Sequence, residues 1–87
     1  MSSGNVYANL ESIEDSLDGE LILTFKRKSR QIVILNDSGS ADLQYKFNES
    51  EDYATLKPTE TEAIEIWAKT LYLKTVASVN YRVRVFG

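Results

Sequence analysis

The sequence has neither cysteine nor histidine among its 87 residues. Without cysteine no disulfide can staple a small core. Without either residue the chain lacks the commonest general base and the two best nucleophile and zinc-ligand types. Catalysis is therefore not expected, and neither a metal nor any other cofactor is expected. No run of about 18 apolar residues occurs, so nothing is expected to span a membrane. The opening segment Met1-Ser2-Ser3-Gly4-Asn5 has no positive cluster and no apolar stretch behind it, which argues against a secretory signal. A net charge of −3 with a pI near 4.9 argues against a general nucleic-acid binder, whose domain is normally basic. The absence of cysteine suits the cytosol, the exterior of a cell and a virus particle equally.

What is present fits one soluble globular domain: 43% hydrophobic and 26% charged residues are close to the average for such proteins. A chain this short buries only about 60 to 65% of the surface its unfolded form exposes, so its core is small and oligomerisation has a motive. Charge is distributed unevenly. Residues 1–20 carry Glu11, Glu14, Asp15, Asp18 and Glu20 with no Lys or Arg, whereas residues 21–87 hold all ten basic groups against eight acidic ones. The chain divides on this reading into an acidic arm, 1–20, and a mildly basic body, 21–87, with Gly19 at the joint.

Val6, Leu10, Ile13 and Leu17 recur at intervals of four, three and four, the spacing that lines one face of a helix. An isolated helix of about 13 residues is marginal in water, and acidic groups near its C-terminal end oppose the macrodipole, so a short helix and an extended arm both stand. Either form needs a docking surface for its apolar residues. Deleting residues 1–18 is expected to leave a folded body.

The body reads as strands. Leu21–Phe25 and Ile32–Leu35 are apolar runs, the second continuous, as expected of a strand covered on both faces. Asn36-Asp37-Ser38-Gly39-Ser40 supplies turn chemistry. Leu43, Tyr45 and Phe47 alternate with polar residues, Tyr53–Leu56 is short, and Ile64 and Ile66 flank Glu65. Leu71 and Leu73 alternate with Tyr72 and Lys74, and Tyr81, Val83 and Val85 alternate with Arg82, Arg84 and Phe86. The expected fold is all-β: an antiparallel β-sandwich or jelly roll of about seven strands. Its core is Leu21, Leu23, Ile32, Ile34, Leu43, Tyr45, Phe47, Ile64, Ile66, Leu71, Leu73, Tyr81, Val83 and Val85.

Among candidate sites, Lys26-Arg27-Lys28-Ser29-Arg30 is the densest charge feature. It reads as a solvated turn that discourages edge pairing, as a dock for an acidic protein segment or, against the overall charge, as a nucleic-acid contact. Arg82 and Arg84 share one strand face and repel unless carboxylates lie across from them. Glu49, Glu51 and Asp52, with Asp37 and Asp42, match no calcium-loop spacing and read as solvated. Trp67, Tyr72 and Tyr53 form an aromatic platform for sugar rings only if they share one exposed face; otherwise they are core or interface. The expected partner-binding residues are thus Val6, Leu10, Ile13 and Leu17 with Lys26, Arg27, Lys28, Arg30, Arg82 and Arg84.

The segments Arg30 to Gly39, Thr55-Leu56-Lys57-Pro58-Thr59-Glu60, Lys69-Thr70-Leu71-Tyr72-Leu73-Lys74 and Tyr81-Arg82-Val83 together resemble small β-sandwich structural proteins of tailed bacteriophage virions. The resemblance spans residues 30–87. It implies a non-enzymatic virion protein that stabilises the capsid shell as a cement or decoration protein, present as a homo-oligomer or in many copies. Its implied partners are viral structural proteins, the major capsid protein or tail proteins, with no nucleic acid or membrane. A tail or baseplate component is the alternative within that class. A carbohydrate-binding module for host attachment is the alternative outside it.

Overall fold

The structure, a computed structural model, describes residues 10–87. Val6 lies outside the described residues, and of Leu10 only the backbone is described. Six strands follow in order: β1 (Leu10–Thr24), β2 (Gln31–Asn36), β3 (Leu43–Lys46), β4 (Ala54–Leu56), β5 (Thr61–Glu65) and β6 (Thr70–Phe86). No helix occurs among the described residues. The long strand β6 organises the fold. Along one edge it pairs with β1 over nearly its whole length, from Leu10↔Phe86 to Thr24↔Thr70. Along the other edge its first half pairs with β3 and its second half with β2. Strand β4 completes the first half beside β3, and β5 the second beside β2. Every pairing is antiparallel, and the single six-stranded sheet curls into a half-barrel.

The curl has a local cause. Leu17 lies opposite Val79 but Gly19 opposite Thr75, so Val76, Ala77 and Ser78 face Asp18 alone. Such a bulge bends and twists a ribbon. Gly19 takes φ of 111°, a region that side chains strongly disfavour. Two buried polar residues hold the same corner. The Asn36 amide donates to the Ala41 carbonyl (2.8 Å) and the Leu56 carbonyl (3.0 Å), and its oxygen accepts from the Ser38 N–H (3.0 Å). The Thr75 hydroxyl lies 2.6 Å from the Ala77 carbonyl and 3.2 Å from that of Asp42.

Strand alternation then divides the side chains. Ile32, Ile34, Leu43, Leu71, Leu73 and Val83 are wholly buried, and Leu17, Phe25, Leu56, Val79, Tyr81 and Val85 join them in one cluster drawn from both halves of the sheet. Every core residue expected above lies in this cluster or packs against it. The expected strand count and layering need correction. Leu71–Lys74 and Tyr81–Phe86 are one strand, because the residues between them carry the pairing through the bulge, and one curled sheet replaces two stacked ones. The helical alternative for the acidic segment is also corrected. Residues 10–20 are strand, since a full-length partner in β6 outweighs a local period of three and four. The division at residue 20 falls inside β1.

Candidate functional site

The hollow of a curled sheet is where a pocket is first sought, and here it is filled. Inward positions of β2, β3 and β6 are aliphatic or tyrosine (Tyr45, Tyr81) until the corner, where Asn36 and Thr75 are hydrogen-bonded. The inward-facing carboxylates lie on the edge strands. Glu11 accepts from the Lys26 backbone N–H (3.2 and 3.3 Å), and Asp15 accepts from the Ser16 N–H (2.8 Å). Glu62 lies beside Tyr45. Burial, and behind it the charge of Glu62, push the Tyr45 hydroxyl up; burial, and behind it Asp15, do the same to Tyr81. Among the described residues no three carboxylates come together as a metal site requires. The carboxylates weighed for calcium are dispersed: Asp37 serves Arg82, and Glu51 accepts from the Phe47 N–H (3.1 Å).

The outer face of the β1–β6–β2–β5 half carries the arginines. Arg82 sits between Glu14 and Leu35, and Arg84 between Ser12 and Val33. The repulsion anticipated between them is relieved on one side by Asp37. Arg82 Nε and Nη2 donate to its two carboxylate oxygens at 2.7 and 2.9 Å. That hydrogen bond, aided by the charges of Arg82 and Arg84, holds the Asp37 carboxyl below the ordinary aspartate range. A shallow depression of about 200 Å³ lies over Ser12, Glu14, Arg82 and Arg84, floored by Ile13 and Val83. Beside it Val33 and Leu35 point outward, half-buried, with Ala63 across from Val33 on β5 and Phe86 at the strand end.

On the outer face of the other half, lysines cover the tyrosines. Lys46 Nζ lies 4.6 Å from the Tyr53 ring centroid and 5.4 Å from that of Tyr72, and Lys74 Nζ lies 5.3 Å from Tyr53. Trp67 stands elsewhere, in the connection between β5 and β6, 64% exposed. The platform weighed for sugar rings is therefore not assembled.

The connections 25–30 and 66–69 close one end of the hollow together. Phe25 N–H donates to the Lys69 carbonyl (2.8 Å), Ser29 N–H to the Ala68 carbonyl (2.7 Å) and Ile66 N–H to the Arg30 carbonyl (3.1 Å). The wholly buried Ser29 hydroxyl donates to the Ile66 carbonyl (2.5 Å) and accepts from the Ala68 N–H (3.1 Å). Phe25 plugs the end, while Lys26, Arg27, Lys28 and Arg30 face solvent.

No protein-family model matches the sequence, and no curated protein does. Solved structures match in shape. The cupin_2 domain of an XRE family transcriptional regulator from Enterobacter cloacae superposes with a TM-score of 0.67 over 98% of this chain and 86% of that one, at 13% identity. A cupin superfamily protein from Desulfitobacterium hafniense gives 0.64 over 91% and 68%, at 9% identity. A de novo designed double-stranded β-helix gives 0.60 over 85% and 96%, at 12% identity. The fold is the cupin fold. Identities this low make the likeness one of fold alone. The cupin fold overturns the resemblance to phage virion proteins and, with it, the assignment as a capsid cement, tail or carbohydrate-attachment protein. The segments that carried that resemblance are the corner after β2, the β4–β5 turn with Thr59 at φ of 66°, and parts of β6. Such pieces serve any antiparallel sheet that must turn sharply.

The expected partner-binding residues are thus dispersed. Leu17 is core and Ile13 packs against it, so their burial is met within the chain. Lys26, Arg27, Lys28 and Arg30 gather at the closed end, and Arg82 and Arg84 on the outer sheet face. Trp67 is brought to the basic loop by hydrogen bonds between segments about forty residues apart, which no local pattern signals. The outward pair Val33 and Leu35 did have a signal, the unbroken apolar run of β2.

Proposed function

We propose that this chain is a non-catalytic cupin-fold module that acts through protein contacts, with a second copy of itself packed on the outer face of β2. The single observation that carries this reading is the two-sided apolar character of β2. Ile32 and Ile34 fill the hollow; Val33 and Leu35 face outward, where a solvated sheet face is normally polar. A second copy supplies the missing cover. The face is self-complementary: the Arg82 and Arg84 row is flanked by Glu14 on β1 and by Glu65 on β5, so a two-fold axis sets carboxylates of one copy toward arginines of the other. The open edge of β1 is the poorer route. Antiparallel self-pairing there sets Glu11, Glu14, Asp15, Asp18 and Glu20 against their own copies, and charge on an edge discourages such pairing. Neither nucleic acid nor a membrane is part of the proposal.

Two substitutions test the interface. Val33→Asp and Leu35→Asp point away from the hollow, so each should leave the circular dichroism spectrum unchanged while separating the copies in light scattering. Ile22→Asp, on the outer face of the other half, should leave the assembly intact. An assembly untouched by both β2 substitutions overturns the interface. For the filled hollow, melting with manganese, iron or zinc salts should show no saturable rise in Tm, since only a ligand bound by the folded state stabilises it. A saturable rise overturns the non-catalytic reading.

A further inference from the structure

The closed end of the hollow brings an exposed indole and a basic loop onto adjoining connections. Trp67 is the sole tryptophan and is 64% exposed, although its neighbours Ile66 and Ala68 pack against the core. Its backbone is held on both sides: Ile66 by the Arg30 carbonyl and the Ser29 hydroxyl, and Ala68 by Ser29 through both backbone and side chain. The same hydrogen bonds hold the basic loop against the tryptophan segment. Lys26, Arg27, Lys28, Arg30 and Lys69 are exposed and lie in the two connections that these hydrogen bonds join, with the Glu11 carboxylate on the Lys26 N–H at 3.2 and 3.3 Å. Among the described residues, Lys26, Lys28, Arg30 and Lys69 form no ion pair with a carboxylate.

A fixed aromatic anchor inside a charged, solvated rim is the arrangement by which interfaces concentrate binding energy at one residue and set orientation with the surrounding charges. We infer that this end of the molecule docks an acidic protein segment carrying an apolar side chain that covers Trp67. Charge complementarity selects the occupant: Lys26, Lys28, Arg30 and Lys69 on the two connections call for carboxylates, and the exposed indole between those connections calls for an apolar side chain. The contact is separate from the outer face of β2, so it stands or falls independently of self-association there. A second copy is the less suitable occupant. Inserting its acidic β1 here is a heterologous contact, which propagates chains of molecules rather than closing a dimer.

Trp67 reports on its own site. Titration of the full-length protein with a short peptide of glutamate and leucine, free of aromatic residues, should shift the tryptophan emission to shorter wavelength and protect it from iodide and acrylamide quenching. Raising salt from low to physiological concentration should weaken the binding, because the Debye length falls to about 8 Å. Lys28→Gln with Lys69→Gln should weaken it roughly three- to tenfold, with the melting temperature unchanged. Trp67→Ala, followed by calorimetry, should abolish it. The inference is overturned if the peptide leaves the emission unchanged, or if the glutamine version of the peptide binds equally well. It is also overturned if phosphatidylserine vesicles or an oligothymidylate bind in the peptide's place, or if the emission of the protein alone shifts with its own concentration, which makes a second copy the occupant.

Discussion

Single residues at the corner carry more of the fold than their polarity implies. Asn36 reads in the sequence as turn chemistry, yet it is 1% exposed and its side chain serves three backbone groups. Removing the amide leaves buried carbonyls without partners, so Asn36→Ala should cost on the order of 2–3 kcal/mol in urea unfolding. Its neighbour Asp37 behaves differently, since its bond to Arg82 lies at the surface. The Asp37 carboxyl is depressed, chiefly by the hydrogen bond from Arg82. Its contribution to stability is therefore present above the unfolded aspartate value of about 4 and is lost as pH falls through the lower folded value. Asp37→Asn should melt slightly below wild type at neutral pH, and the two melting curves should converge as pH falls below about 4. A difference that persists at the acid end contradicts the assignment. Both residues lie in a turn that composition identifies, but their long-range partners, the Leu56 carbonyl for Asn36 and the Arg82 guanidinium for Asp37, lie on β4 and β6, remote in sequence.

Among the elements, β1 departs most from its appearance in the sequence. Its acidic residues and the spacing of Ile13 and Leu17 mimic an amphipathic helix, because positions 13 and 17 share a face in a strand as well as in a helix. Period alone cannot separate the two over so short a run, and a partner strand about sixty residues away decides it. The body strands are legible because β3, β5 and the two halves of β6 alternate over their own length and β2 is an unbroken apolar run. Two outcomes follow for β1. Deleting residues 1–18 removes Leu17 from the core and about half of the pairing between β1 and β6, so the remainder should show no cooperative melting by circular dichroism; a folded remainder makes the first half of β1 dispensable. At the bend, Gly19→Ala meets no atom within 4 Å, so its cost is conformational alone. About 1–3 kcal/mol is expected in urea unfolding, and a neutral result means that the bend tolerates another backbone path.

The whole molecule is a small sheet wrapped around aliphatic side chains. The sequence is legible as all-β. It is not legible as one curled sheet rather than a sandwich, because alternation records only which side chains face inward. The curl depends on where two long strands bend, and the bulge at Val76–Ser78 contains no glycine or proline to announce it. The unbroken apolar run of β2 is the exception, since it demands cover on two faces and the described residues leave Val33 and Leu35 only half-buried on one of them. Sedimentation equilibrium of the wild-type protein across a wide concentration range tests that demand directly. The account predicts a mass twice the 9.9 kDa of the chain that dissociates toward one chain on dilution. A mass of 9.9 kDa at every concentration contradicts it.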